Sequence, residues 1–303
     1  MKVEDIRKIL IVGSGTMGQQ IAFQCALHGY DVTLYDISPE ALEKAREGVA
    51  RMGRWFVKAG RISGEQAGEI EARMSFTTDQ REAAREADFL SESVPEDPRL
   101  KGKILGEFNG LCPERTIFTT NTSTLVPSMF AAATGRPDRF IAFHYYDIRI
   151  SPIVDVMPHP GTFAGTRELA MAFVRKTGLV PIYLEKENFG YVMNAMLMSI
   201  FSSALNMAET GVSSIRDIDR SWIGVMNLPV GPFGMMDSIG LETVWKVTDY
   251  WANAVNNEQG KRNARFVRDY VDRGKLGVKS GEGFYSYPHP AYMKPGFLQG
   301  EGE

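Results

Sequence analysis

The sequence predicts an α/β fold in which a doubly wound, parallel sheet is followed by an all-α C-terminal domain. Three observations support this. Short β-branched runs alternate with longer helical patterns through the first half of the chain, a glycine-rich turn follows the first of these runs, and the strand-like runs end after Leu184. Alternating strands and helices are typical of repeated βαβ units, which form parallel sheets.

The elements of the first half follow from local patterns. Helices are predicted at residues 15–28 and 65–73, and a long charged helix begins at Ser38-Pro39, because proline is favoured in the first helical turn, and extends to about residue 57. Strands are predicted at residues 9–12, 32–36, 75–77, 88–94, 117–121, 140–144, 153–157 and 180–184.

The character of the chain changes near Lys186, so we predict a sheet domain at residues 1–186 and a helical domain at residues 187–303. Residues 188–208 carry no charge and predict a helix. A membrane-spanning helix needs about 20 mainly apolar residues. Several asparagines and serines interrupt this stretch, which favours a helix buried in protein over one in lipid.

The helical domain is rich in apolar residues for its size. An amphipathic helix is predicted at residues 214–222, followed by a turn-rich segment, two more helices and a glycine-rich tail. The uncharged helix and the apolar stretch at residues 222–236 exceed what a domain of this length needs to bury alone. Large apolar surfaces mark interfaces, so we expect a homodimer formed through this domain.

Composition and charge exclude several classes of protein. The chain has 303 residues, 44% of them hydrophobic and 23% charged, and a formal net charge of -3, which is typical of a globular protein and unfavourable for nucleic acid or an anionic membrane. The only two cysteines, Cys25 and Cys112, are isolated, so neither a metal site nor a disulfide is expected. The N-terminal residues lack an apolar signal-like stretch, and we expect a cytoplasmic protein.

A glycine-rich turn lies directly after the first strand, where a helix begins. Its glycines are Gly13, Gly15 and Gly18, with Thr16 and Met17 before the last, in the pattern G-x-G-x-x-G. In this context the glycines allow a tight turn, close approach of a pyrophosphate and close helix packing, which predicts a Rossmann domain that binds a dinucleotide.

Asp36 lies 18 residues beyond the turn, at the end of the second strand. A carboxylate there accepts the ribose hydroxyls and repels a 2′-phosphate, which favours NAD over NADP. The alternative is a purely structural glycine turn with Asp36 as a helix-entry residue.

Segments spread over nearly the whole chain resemble the 3-hydroxyacyl-CoA dehydrogenase family, and in this order they are specific. The C-terminal stretch and the short length are similar to two-domain members such as diketoreductase, and residues 154–160 resemble the gulonate 3-dehydrogenase and lambda-crystallin branch. The segments are residues 9–22, 57–79, 92–96, 121–123, the strand that ends at His144, 190–194, 231–233 and 281–285.

The resemblance implies a catalytic histidine, His144, and an acidic partner, Asp155. An imidazole titrates near neutral pH and can both accept and return a proton. Further site residues are implied: Ser123 and Asn194 beside the substrate oxygen and the histidine, Asn121 and Lys101 near the nicotinamide ribose, and Glu96 in the loop beside it. Asn121 and Ser123 could instead cap a following helix, as such residues often do.

The chain departs from the family just after His144. Two aromatic residues, asparagine and proline are usual there, whereas this chain has Tyr145-Tyr146-Asp147-Ile148, and a shorter acid, Asp155, follows the histidine after 11 residues. A shortened loop, a bridging water, or replacement of Asp155 by Asp147 could restore the pair. We expect the first, because the strand alternation around Asp155 is retained.

The resemblance implies hydride transfer between NAD(H) and a 3-hydroxy/3-oxo acyl substrate, such as a CoA thioester. Arg54, Lys58 and Arg61 could contact CoA phosphates or form a solvated helix face, and Arg149 could bind a free carboxylate. Two alternatives stay open. One is the same chemistry on a diketo ester, sugar acid or carnitine-like compound, and the other is a catalytically silent NAD-binding structural or sensor protein.

Overall fold

The computed structural model describes residues 1–300 and divides into two compact units, Met1–Ala195 and the residues from Met196 onward. The strands are β1 (Lys8–Val12), β2 (Asp31–Tyr35), β3 (Met74–Thr77), β4 (Phe89–Glu92), β5 (Ile117–Thr120), β6 (Phe140–Tyr145), β7 (Ile153–Met157) and β8 (Val180–Tyr183). The helices are α1 (Thr16–Leu27), α2 (Pro39–Lys58), α3 (Gly64–Ala72), α4 (Gln80–Ala84), α5 (Pro98–Asn109), α6 (Ala164–Lys176), α7 (Met193–Glu209), α8 (Ile215–Met226), α9 (Pro232–Ile239), α10 (Leu241–Ala254) and α11 (Glu258–Val271).

The first unit is built on one eight-stranded sheet with the order β3-β2-β1-β4-β5-β6-β7-β8. The strand order reverses between β1 and β4, and in doubly wound sheets ligands bind at this switch point, beyond the carboxyl ends of the strands. Alternate residues of β1 point to opposite faces of the sheet. Ile9 and Ile11 belong to one core cluster, and Leu10 and Val12 belong to the other. The predicted Rossmann sheet and its eight strands are confirmed.

One strand pair differs from the predicted parallel arrangement. β6 and β7 are antiparallel, whereas the other neighbouring pairs of the sheet are parallel. The physical reason is the short connection at residues 146–152, since a parallel pair requires a crossover of about a dozen residues or more.

The second unit is helical, as predicted, and has its own core. Two buried carboxylates tie its segments together. Asp219 accepts the backbone N–H groups of Phe233 at 2.9 Å and Gly234 at 3.0 Å, in the first turn of α9. Asp237 likewise accepts the backbone N–H groups that begin the C-terminal segment, at residues 284 and 285. The core includes Phe201, Leu205, Phe233, Met236, Leu241 and Val267.

The uncharged helix differs from the prediction in two respects. It begins at Met193 rather than near residue 188, because Gly190 and Tyr191 adopt positive φ values of 75° and 56°, which a right-handed helix cannot include. It is also only partly buried: Phe201 and Leu205 lie in the core, whereas Met193 and Met196 are 45% and 51% exposed. Among residues 1–300, no helix combines the length and apolar character that crossing a membrane requires.

Candidate active site

The glycine-rich turn connects β1 to α1 at the switch point. Gly13 has φ 103°, and a Cβ there would lie 2.7 Å from the carbonyl oxygen of Ser93. A Cβ on Gly18 would lie 1.9 Å from the carbonyl oxygen of Gly13, so this glycine lets the helix pack against the turn. Gly15, the N-cap of α1, has open space around its Cβ position.

Asp36 closes one side of this turn. One carboxylate oxygen accepts the backbone N–H of Ser14 at 2.9 Å and its hydroxyl at 2.8 Å, and the other accepts the backbone N–H of Ser38, the N-cap of α2, at 3.1 Å. Asp36 therefore also stabilises the start of α2, which is the role that the purely structural interpretation of this residue gave it. A left-handed tight turn, a close-packed Gly18 and open space at Gly15 fit a dinucleotide pyrophosphate held at the helix N-terminus.

The glycines of the turn predict two separable effects. In Gly15→Ala, the new methyl group enters open space beside the helix N-terminus, so we expect a normal fold and NADH binding weakened about tenfold or more. In Gly18→Ala, the methyl group overlaps backbone, so we expect a loss of about 1–3 kcal/mol of stability. Fluorescence titration with NADH and urea denaturation measure the two effects. Equal effects of both variants in both measurements would contradict this assignment.

His144 and Asp155 face each other across the antiparallel pair of β6 and β7. The register places them directly opposite one another, and Nδ1 of His144 lies 3.2 Å from Oδ2 of Asp155. Both side chains are buried. Asp147, the other candidate partner, instead pairs with Arg149 through contacts of 2.9 Å and 3.2 Å. The shortened loop thus keeps Asp155 in direct contact with the histidine, and Nε2 remains as the nitrogen for proton exchange.

Two tyrosines enclose the imidazole of His144, and neither was among the predicted site residues. Tyr146 meets the ring at its edge, with centroids 4.5 Å apart, and its hydroxyl donates to Oδ2 of Asp155 at 2.8 Å. Tyr191 stacks on the ring, with centroids 4.9 Å apart and planes at 24°. Its hydroxyl is buried and has no hydrogen-bond partner among residues 1–300. The sequence did contain one signal for such a role: a tyrosine, with its hydroxyl, stands at position 146, where the family needs only an aromatic ring.

Lys101 lies under the loop that follows β4. Its side chain is fully buried, and Nζ contacts Oε1 of Glu92 at 2.8 Å, the carbonyl oxygen of Val94 at 3.1 Å and Oε2 of Glu96 at 3.4 Å. The ammonium group is therefore engaged inside the protein. We assign it to holding this loop, which the resemblance implies lies near the nicotinamide ribose. Glu92, at the end of β4, is a site residue that sequence reasoning missed.

Glu96 collects hydrogen bonds from the loop after β5. Oε1 accepts the hydroxyl of Thr122, the backbone N–H of Ser123 at 2.9 Å and that of Thr124 at 3.1 Å. Burial raises the pKa of Glu96, but the Lys101 charge and these hydrogen bonds outweigh burial and hold the pKa below its ordinary value. Glu96 is thus an ionised carboxylate that ties the β4 and β5 loops together.

Asn194, Ser123 and Asn121 join this network. Nδ2 of Asn194 donates to the carbonyl oxygen of Ser123 at 3.2 Å, so the two residues that the resemblance implies beside the substrate oxygen and the histidine contact each other. Oδ1 of Asn121 accepts the backbone N–H of Tyr145 at 3.1 Å, which links the loop to the histidine strand. Neither Asn121 nor Ser123 caps a helix, because the next helical turn has Val126 as its N-cap.

Comparison with known proteins matches both parts of the chain to one family. Residues 8–188 match the model of the 3-hydroxyacyl-CoA dehydrogenase NAD-binding domain, and residues 190–287 match that of the C-terminal domain of the same family. The chain is 30% identical over 293 residues to mitochondrial hydroxyacyl-coenzyme A dehydrogenase of Rattus norvegicus, covering 93% of this chain and 91% of that protein.

Two further relatives carry other names. The chain is 30% identical over 286 residues to 5-formyl-3-hydroxy-2-methylpyridine 4-carboxylate 5-dehydrogenase of Mesorhizobium japonicum, covering 93% of this chain and 91% of that protein. A solved structure of diketoreductase superposes with a TM-score of 0.86 at 34% identity, covering 93% of this chain and 99% of that chain. Matched in both domains and over nearly its whole length, the chain belongs to the 3-hydroxyacyl-CoA dehydrogenase family and is an NAD-dependent oxidoreductase.

Proposed function

We propose that the protein interconverts a 3-hydroxy and a 3-oxo acyl compound, with His144 as the acid and base and Asp155 as its partner. The observation that carries the proposal is the direct contact of 3.2 Å between these two buried side chains. NAD, when bound, takes the hydride in one direction and returns it in the other.

The residues around His144 supply the proton path and the orientation. During oxidation, Nε2 of His144 removes the hydroxyl proton, and during reduction it returns a proton to the oxo oxygen. Asp155 holds Nδ1 protonated, which fixes the tautomer and stabilises the imidazolium ion as it forms. Ser123 and Asn194 lie side by side, and we assign them to hydrogen bonding with the substrate oxygen.

We infer that the acyl group is carried as a CoA thioester. Arg61 donates from its guanidinium to the carbonyl oxygen of Arg149 at 3.0 Å, which brings the basic turn between α2 and α3 to the loop that follows His144. The relative from Rattus norvegicus is named for CoA substrates. Cationic side chains at this turn provide partners for the phosphates of CoA.

A second substrate class, compounds without CoA such as a diketo ester or a free acid, is supported by the two relatives with other names, one a dehydrogenase of a pyridine carboxylate and the other a diketoreductase. The Arg149 guanidinium is already paired with Asp147, so a substrate carboxylate must displace that partner. This pairing makes us favour the thioester.

Rates of NADH oxidation with acetoacetyl-CoA, acetoacetate and a 3,5-diketo ester separate the candidates. We expect the thioester to give the highest kcat/KM, by about tenfold or more, since phosphate contacts add binding energy that the smaller compounds lack. A preference for the free acid or ester would identify the second class. NADH binding with no turnover of any of the three would show a silent NAD-binding protein and refute the proposal.

We also propose a homodimer formed through the helical domain. Val225 is 80% exposed and Met226 53%, at the end of α8, and Met196 on α7 is 51% exposed. Exposed apolar side chains in this number favour association with a second copy. Sedimentation equilibrium should give twice the mass of one chain, and a monomer at every concentration would exclude the dimer.

A further inference from the structure

Tyr146 shares one carboxylate oxygen with His144. Oδ2 of Asp155 lies 2.8 Å from the Tyr146 hydroxyl and 3.2 Å from Nδ1 of His144. Tyr146 follows β6 directly, two residues after His144, and both side chains approach the acid that lies opposite the histidine. Tyr145, between them, points to the other face, where its ring packs against Phe143 in the core.

We propose that Tyr146 is a positioning residue of the acid–base pair: its hydroxyl holds the Asp155 carboxylate against His144 and takes up part of its negative charge. The imidazole consequently binds a proton less tightly than it would beside a carboxylate free of this donor. The inference rests on the proposed function only in its kinetic consequence.

The Asp155 carboxylate is buried, with 1% of the residue exposed. An ionised carboxylate removed from water is costly unless hydrogen bonds replace its hydration. A neutral imidazole supplies one such bond, through Nδ1, and Tyr146 supplies a second to the same oxygen. The two donors together replace part of the hydration that the Asp155 carboxylate loses on burial.

The Tyr146 hydroxyl also reduces the negative charge that Asp155 presents to the imidazolium ion. A hydrogen bond to the charged form of a group stabilises that charge. Because the Tyr146 hydroxyl stabilises part of the negative charge of Asp155, less of that charge is available to stabilise the imidazolium ion of His144. Burial and the neighbouring Asp155 raise the pKa of Tyr146, so the phenol keeps its proton and remains a donor at neutral pH. Loss of the hydroxyl should therefore raise the pKa of His144.

The surroundings provide no other cation for the carboxylate among the contacts of the described residues. Tyr191 covers one face of the imidazole with an uncharged ring. The titratable groups that face His144 or lie behind this ring are Asp155 on β7, Tyr146 after β6, Tyr191 before α7, and Glu96 and Glu92 around the β4 loop, with Lys101 between these two glutamates.

Titration of His144 by NMR in NAD-free protein with labelled histidine tests the inference without any turnover. The spectrum of His144→Gln identifies the resonance among the four histidines. In Tyr146→Phe we expect the pKa of His144 to rise by about 0.5 to 1 unit, which is a three- to tenfold gain in proton affinity. Tyr145→Phe, the matched control, removes a hydroxyl on the opposite face and should leave the titration unchanged.

A substitution that should shift the pKa of His144 in the opposite direction distinguishes the proposed effect from a folding defect. Incorporation of 3-fluorotyrosine at position 146 makes the phenol a stronger donor, so the pKa of His144 should fall. In kinetics, the pH limb assigned to His144 should move upward in Tyr146→Phe, with kcat reduced several-fold and NADH affinity unchanged. An unchanged or lowered His144 pKa in Tyr146→Phe overturns the inference. Absent turnover in the wild type would refute the proposed function and leave the NMR result standing.

Discussion

Replacement of His144 by glutamine is expected to lower kcat for 3-oxo reduction by about 10²- to 10⁴-fold, the usual contribution of a general acid or base. Glutamine fills a similar space and keeps a polar group opposite Asp155, but it cannot exchange a proton at neutral pH. NADH oxidation with acetoacetyl-CoA measures the loss.

The matched control is His289→Gln, which changes an exposed histidine in the C-terminal segment and should leave the rate unchanged. NADH affinity, followed by fluorescence, should be the same in both variants. If His144→Gln kept more than about a tenth of the activity, His144 would contribute less than a general acid or base normally does, and the assignment would be wrong.

Replacement of Lys101 by methionine is expected to cost about 3–5 kcal/mol of the free energy of unfolding, because removing one partner strands a buried opposite charge. Glu92 is fully buried and contacts the ammonium group at 2.8 Å. Lys103 lies two residues along the same helix with its side chain 73% exposed, so Lys103→Met is the matched control. Urea denaturation measures both variants.

A double variant sharpens this second test. In Glu92→Gln/Lys101→Met no buried charge of the pair remains, so part of the lost stability should return. A single Lys101→Met variant as stable as Lys103→Met would show that the ion pair contributes nothing. Because Lys101 also helps to hold the pKa of Glu96 down, that pKa should rise in the methionine variant.

The strands and the cofactor turn were predictable because their signals are local. Ile9 and Ile11 alternate with Leu10 and Val12 over a few residues, and a buried strand of this kind needs no knowledge of its neighbours. The glycine turn was also recognisable locally, from six residues together with the strand before them and the helix after them. The antiparallel pairing of β6 with β7 was not predicted, since strand direction depends on partners distant in sequence.

Long-range pairing also explains what was missed at the site. Lys101 lies in an ordinary helical pattern, and its burial depends on Glu92 at the end of a neighbouring strand. Tyr191 delays the start of the expected helix because its backbone is left-handed, a conformation that bulky residues rarely adopt. Such strain is maintained by surrounding contacts, here the stack on His144, which no local pattern reveals.

The in-register placement of His144 and Asp155 has a consequence for how the family can diversify. Hydrogen bonds between two strands, rather than the loop that joins them, fix the distance between acid and base. The loop at residues 146–152 can therefore change in length and sequence beyond Tyr146 while the chemistry is inherited intact, and its Ile150 is 82% exposed. Changes confined to this loop can adapt the enzyme to new substrates, because the paired strands β6 and β7 keep the two catalytic side chains in position.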